Sequence, residues 1–141
     1  MPSFSKSSKS RLASCDAQLQ RLFNRVVETF DCTIVEGHRG QAAQNKAHDE
    51  GKSQLRWPDG NHNAQPSRAV DAAPYYPGIG IVWNHPVDQV VRENASYFAG
   101  FVLGTAHLMG LRLRWGGDWN GDRDTADNNF DDLWHFELIN L

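Results

Sequence analysis

Three residues, His62, Asp71 and His135, are of the types that could do metal chemistry. A catalytic zinc takes three protein ligands from imidazole and carboxylate groups and keeps a fourth position open. Held in that way, the metal lowers the pKa of water toward about 7 and polarises a carbonyl. Of the six histidines, only these two combine a position at a predicted strand with nearby carboxylates. The eight residues between His62 and Asp71 suit a loop that returns to meet a strand, so the two side chains can converge without sharing a helix. On residue type and spacing alone, a hydrogen-bonded surface or core histidine is the commoner outcome, and the set stands as a candidate.

Asp132 precedes His135 by three residues, near enough to act as a general base from outside the ligand set. Asp131 is its rival, because a shift of one residue along an extended segment reverses which side chain points inward. Spacing leaves the two open, together with the plainer reading of a solvated carboxylate. Arg39 follows a predicted strand and turn, and its planar guanidinium suits a substrate carboxylate through two parallel hydrogen bonds; an exposed surface arginine is the alternative. Asp118, Asn120, Asp122 and Asp124 offer oxygens at alternate positions, like the first half of a calcium loop. Arg123 stands where such loops want Gly, and no Glu closes the twelfth position, so a solvated acidic loop is the more economical reading. The five tryptophans divide between a groove for sugar or peptide and ordinary core packing.

The elements that must position these residues follow from periodicity. Leu19, Leu22, Phe23, Val26, Val27 and Phe30 recur at three- and four-residue steps and predict a core-packed helix from Asp16. Cys32-Thr33-Ile34-Val35 predicts a strand ending at the turn Glu36-Gly37-His38-Arg39-Gly40, with a second helix from Gln41 to about Gly51. After a turn-rich stretch, residues 68–73 read as a strand closed by Pro74. The longest helix is expected from Pro86 to Met109, with Asn84 as N-cap and Gly110 just past its end. Residues 111–115 and 133–138 alternate as half-buried strands do, which puts His135 and Glu137 on one face. The expected fold is α+β, with helices gathered around a small sheet.

Composition sets the outer bounds. A chain of 141 residues fits one domain, burying roughly two thirds of the surface its unfolded form exposes. Hydrophobic residues at 40% and charged residues at 22% are globular values. A net charge of −3 offers no broad basic surface for nucleic acid or anionic lipid. No apolar run reaches the ~20 residues of a spanning helix, and the Ser/Lys-rich start has no apolar stretch of a signal peptide behind it. The expectation is therefore a monomer made and left in the cytoplasm, without membrane insertion. Residues 1–14 are expected to be loose and residues 15–141 to form the domain. Cys15 and Cys32 lack the spacing of a redox or zinc pair and read as free buried thiols.

Three ordered motifs carry a family resemblance that covers nearly everything after about residue 14. They are His62-Asn63-Ala64-Gln65-Pro66-Ser67-Arg68-Ala69-Val70-Asp71, Arg114-Trp115-Gly116-Gly117-Asp118-Trp119, and Asp132-Leu133-Trp134-His135-Phe136-Glu137-Leu138. The chain resembles the zinc D-alanyl-D-alanine carboxypeptidase and L-alanyl-D-glutamate endopeptidase family, which includes phage endolysins and the vancomycin-resistance dipeptidases. The resemblance implies a hedgehog/D-Ala-D-Ala-peptidase-like single domain with a small mixed or antiparallel sheet. It also implies Zn2+ on His62, Asp71 and His135, with Asp132 as base. Glu36 to Gln44 looks like the family's early Gly-x-Arg segment, so Arg39 inherits a substrate contact and Gln44 an assisting one. The His-to-Asp interval is two residues longer than the commoner one, and Gly60 stands where a Ser often lies; the longer form looks like a phage-associated subgroup.

The implied substrate is the peptidoglycan stem peptide, cut at L-alanyl-D-glutamate by a lysin that reaches the wall through a holin-made pore. The rival activity is D-alanyl-D-alanine carboxypeptidase or dipeptidase. A rival of another class is a zinc-stabilised wall-binding module without turnover.

Overall fold

The computed structural model of the chain describes residues 1–139, so the domain expected over 15–141 is described as far as Ile139. Four helices and four strands run in the order α1 (Lys6–Ala13), α2 (Ala17–Val27), β1 (Cys32–Glu36), α3 (Gln41–Asp49), β2 (Ala69–Pro74), α4 (Asp88–Leu108), β3 (Leu113–Gly116) and β4 (Asp132–Leu138), with a short 3-10 turn at Asn61–Asn63 between α3 and β2. The strands form one antiparallel sheet in the order β1-β2-β4-β3. The architecture is the expected α+β arrangement.

Alternation along β2 and β4 divides the sheet into two faces. Val70, Ala72, Phe136 and Leu138 are buried in the core, where Leu19, Leu22, Phe23 and Val26 of α2 and Phe98, Ala99 and Val102 of α4 cover them. Phe136 sits at the centre, edge-on to Phe23 at 5.8 Å and to Phe98 at 6.0 Å, the geometry that ring quadrupoles favour. The intervening residues, Asp71, His135 and Glu137, point to the opposite face. One strand thus supplies the core with Phe136 and the site with the residues on either side of it.

The helix from residue 16 forms as the periodicity requires, with the Asp16 carboxylate accepting the Gln18 N–H at 2.8 Å as its cap. Two segments differ from expectation. Residues 1–14, read as loose because of their Ser/Lys composition, contain α1, whose cap Ser5 accepts the Ser8 N–H. This helix is pinned to the sheet by a polar contact that hydropathy does not register: the buried Ser8 hydroxyl accepts the Ile34 N–H at 3.1 Å, while Phe4 and Leu12 enter the core. The long helix begins at Asp88 and not Pro86, and its N-cap is Val87 without a side-chain bond, not Asn84. The His85 ring accepts the Val87 N–H at 3.0 Å and holds the chain extended before the helix can start. Its other end is as expected, with Gly110 in the left-handed region at φ 75°.

Cys15 and Cys32 are free and buried. Burial pushes the Cys15 thiol up to about 11 and the Cys32 thiol up to about 12. At pH 8 both stay protonated, and only the thiolate is nucleophilic. The folded protein should therefore show no reactive thiol toward a disulfide reagent at pH 8 and two in denaturant; one fast thiol in the folded state would contradict the packing.

Candidate metal centre and active site

Asp71 on β2 and His135 on β4 are direct cross-strand partners in the antiparallel register, and Glu36 on β1 lies opposite Asp71 on its other side. Adjacent strands therefore bring the aspartate and the second histidine within side-chain reach without any loop. His62 arrives from the 3-10 turn above the sheet. That turn is tied down by the Arg39 N–H, which donates to the His62 carbonyl at 2.8 Å, and by the Arg68 N–H, which donates to the Asn61 carbonyl at 3.1 Å.

His62 Nε2 lies 3.2 Å from Asp71 Oδ1 and 3.2 Å from His135 Nδ1, and Asp71 Oδ1 lies 3.4 Å from His135 Nδ1. Three donors at zinc bond lengths of 2.0–2.1 Å in tetrahedral directions would stand about 3.3 Å apart. The triangle has that size. Among the described residues, this is the group of His, Cys, Asp or Glu ligand atoms close enough together to hold a metal ion.

The tautomers agree with the geometry. His62 Nδ1–H donates to the Gly37 carbonyl at 2.8 Å, which leaves the Nε2 lone pair facing the triangle. His135 Nε2–H donates to Glu137 Oε1 at 2.7 Å, which leaves Nδ1 facing it too. Outer partners of this kind fix ring orientation and tautomer at metal sites. Two lone pairs and a carboxylate oxygen so arranged repel one another unless a cation lies between them. Without a metal, a proton on His135 Nδ1 supplies that positive charge: burial alone would lower the His135 imidazole, but Asp71 and Glu137 outweigh it and lift its pKa to about 9. Burial likewise disfavours the Asp71 carboxylate, yet the His62 and His135 rings hold it far below the usual range.

Asp132 is the carboxylate that faces this triangle, with Oδ2 3.8 Å from His135 Nδ1. Burial and the nearby Asp71 charge raise its pKa to about 6. Asp131 turns the other way, where its carboxylate accepts from Arg92 Nη1 at 2.6 Å and Asn128 Nδ2 at 3.2 Å. The choice is set by an irregularity in the β3/β4 pairing, which places Gly116 opposite Asp132. A Cβ on Gly116 would overlap the Asp132 carbonyl, so glycine is required for that close approach.

Arg39 is brought to the site with three of its five N–H groups engaged. Its Nε and Nη2 donate to Glu36 at 3.0 and 2.7 Å, and Nη1 donates to Gln44 Oε1 at 3.1 Å. Nη2 also lies 3.7 Å from Asp71 Oδ2. Gln44 is buried with its amide fully engaged: Nε2 donates to Ser53 Oγ and the Leu55 carbonyl, and Oε1 accepts from Arg39 and Asn63. It builds the wall of the site and has no hydrogen bond left for a substrate.

Asp118, Asn120, Asp122 and Asp124 lie on one acidic loop in which the Asp122 carboxylate meets those of Asp118 and Asp127, and Asp118 Oδ1 is buried without a hydrogen-bond partner. Asp118 accepts the Arg123 N–H, Asn120 the Asp122 N–H, Asp122 the Asp124 N–H and Asp124 the Ala126 N–H. These oxygens turn onto their own loop. Trp119 leaves the same loop to lean on the His135 ring at 5.4 Å.

Sequence reasoning missed Glu137, although alternation placed it beside His135. It accepts from His135, from Asn61 Nδ2 at 2.9 Å and from Arg114 Nη2 at 2.7 Å. Burial opposes the charge, but His135 and Arg114 bring its pKa down to about 2. Glu36, which occupies Arg39, was also missed; its spacing of three residues from Arg39 was the available signal. Glu137→Gln is expected to weaken metal binding by about 10- to 100-fold with the fold intact by circular dichroism. Unchanged affinity in a competition with a chromophoric chelator would remove Glu137 from the centre.

Comparison with known proteins gives the family. Residues 2–139 match the family described as phage L-alanyl-D-glutamate peptidase. The L-alanyl-D-glutamate peptidase of Escherichia phage T5 is 36% identical over 128 residues, covering 88% of this chain and 86% of that protein. The crystal structure of Serratia marcescens L-Ala D-Glu endopeptidase ChiX superposes with a TM-score of 0.69 at 22% identity, covering 95% of this chain and 87% of that one, a likeness of fold. With the family match spanning nearly its whole length, the chain belongs to the phage L-alanyl-D-glutamate peptidase family.

Proposed function

We propose that the chain is a zinc peptidase that hydrolyses the amide between L-alanine and D-glutamate in the stem peptides of bacterial peptidoglycan, as a phage or prophage endolysin. The observation that carries the metal part is the triangle of His62 Nε2, Asp71 Oδ1 and His135 Nδ1, at 3.2 to 3.4 Å. The choice of bond is supported by the family and by what the T5 and Serratia proteins are called. Among the described residues no helix is long and apolar enough to cross a membrane, and release through a holin-made pore fits the lysin reading.

Zinc in this triangle supplies a Lewis acid that activates water and polarises the scissile carbonyl. The chain's own groups do the rest. Asp132 takes a proton from the attacking water as the C–O bond forms and returns it to the glutamate nitrogen as the C–N bond breaks. Glu137 and the Gly37 carbonyl hold the two rings in register. Arg39, clasped by Glu36 and close to Asp71 Oδ2, keeps the aspartate in place.

Digestion of purified sacculi should expose new alanine carboxyl and glutamate amino termini by mass spectrometry. Release of free D-alanine in their place would contradict the bond assignment. Asp132→Ala should lower the rate at least about 10²-fold while one zinc per chain and the melting temperature are retained. Full activity in that variant would contradict a catalytic Asp132, and absence of turnover in the unmutated protein would leave a wall-binding module.

A further inference from the structure

Asp131 is the hub of a hydrogen-bonded clamp at the point where the acidic loop becomes β4. Arg92 stands one turn inside α4. Its Nη1 donates to Asp131 Oδ2 at 2.6 Å, and its Nη2 donates to the Thr125 carbonyl at 3.1 Å. The other carboxylate oxygen, Oδ1, accepts from Asn128 Nδ2 at 3.2 Å, and the same amino group donates to the Gly117 carbonyl. Three pieces of the fold thus meet around one side chain: α4 through Arg92, the loop through Thr125 and Asn128, and the turn after β3 through Gly117. The planar guanidinium suits this work, because its two outer nitrogens reach two acceptors in fixed directions.

As a contribution to stability the clamp is small. The Arg92 and Asp131 side chains are 37% and 35% exposed, and ion pairs in contact with water are worth little. Its consequence is directional. Consecutive residues of an extended segment point to opposite sides, so fixing the Asp131 carboxylate against Arg92 turns Asp132 toward the triangle. Asp132 has little of its own to hold it there. Among the described residues its carboxylate takes no hydrogen bond, and its ion-pair contact is His135 Nδ1 at 3.8 Å, beyond hydrogen-bond length. Gly116 opposite it makes room for the close approach but has no side chain with which to steer it.

We infer that Arg92 and Asp131 are positioning residues that keep Asp132 facing the metal triangle. The inference rests on the reading of Asp132 as the base. Both side chains are directed to each other and to the loop, so loss of the clamp acts on the chemical step and leaves substrate and metal binding in place. Asn128 is the less selective probe, because it also accepts the Trp119 N–H, and Trp119 leans on His135.

The test is steady-state kinetics on synthetic stem peptides with the zinc-loaded full chain carrying Arg92→Met, Asp131→Ala or both. Each single variant should lower kcat about tenfold, within the roughly 10²-fold that a misplaced group costs, with KM and one zinc per chain unchanged. The double variant should be no slower than the singles, because one clamp is broken in all three. Arg92→Lys, which keeps the charge beside Asp131 but not the fork, should fall between Arg92→Met and the unmutated protein. A kcat unmoved in the single variants, losses that multiply in the double variant, or a loss of zinc or rise in KM that accounts for the lost rate overturns the positioning role and leaves the peptidase reading intact. Full activity in Asp132→Ala overturns the role of the base and this inference with it, and failure of the unmutated protein to cut the peptides overturns the peptidase reading as well.

Discussion

Two imidazole lone pairs and a carboxylate oxygen face one another at 3.2 to 3.4 Å with their protons fastened behind them. Such an arrangement is unfavourable without a cation at its centre, because like-signed electron pairs in a dry site have little solvent to screen them. The rest of the fold keeps it from relaxing. The Gly37 carbonyl and the Glu137 carboxylate prevent the rings from flipping, and Arg39 and Glu36 brace Asp71 from the side. The sheet fixes the distance between Asp71 and His135 through main-chain register alone.

The same strand that carries His135 carries Phe136 into the core, so the position of this proposed ligand is inherited from the packing of Phe23 and Phe98 against its neighbour. This coupling accounts for the compactness of the design in 141 residues. A sheet with one face covered by α2 and α4 leaves its other face free for chemistry, and alternation puts every second residue of β2 and β4 there. Irregularity enters between Ile34 and Glu36 of β1, beside Asp71, and at Gly116, where the ladder shifts and Asp132 is turned toward the triangle.

Much of this was legible in the residues. The periodicity of Leu19 to Phe30 marked α2, and the alternation of Leu133 to Leu138 marked β4 and placed His135 with Glu137. Residue type pointed to His62, Asp71 and His135 as ligands, and the resemblance raised that from a candidate to an expectation. Their convergence was not legible, since it depends on β2 pairing with β4 across more than sixty intervening positions. The choice between Asp131 and Asp132 could not follow from alternation, because the strand irregularity that decides it is a property of two strands together. The clasp of Glu36 on Arg39 was signalled only by their three-residue spacing, which does not fix its bidentate geometry. The order of residues 6–13 was hidden by polar composition: a buried serine hydroxyl on the Ile34 N–H does there what apolar periodicity does elsewhere.

The central claim is a single metal ion between two imidazoles and one carboxylate. It is tested most directly by diffraction from crystals of the active protein, with anomalous differences measured on either side of the zinc absorption edge. The account predicts one strong peak present only above the edge, about 2.0–2.1 Å from His62 Nε2, Asp71 Oδ1 and His135 Nδ1. A fully active protein whose crystals show no such peak at the triangle would contradict it.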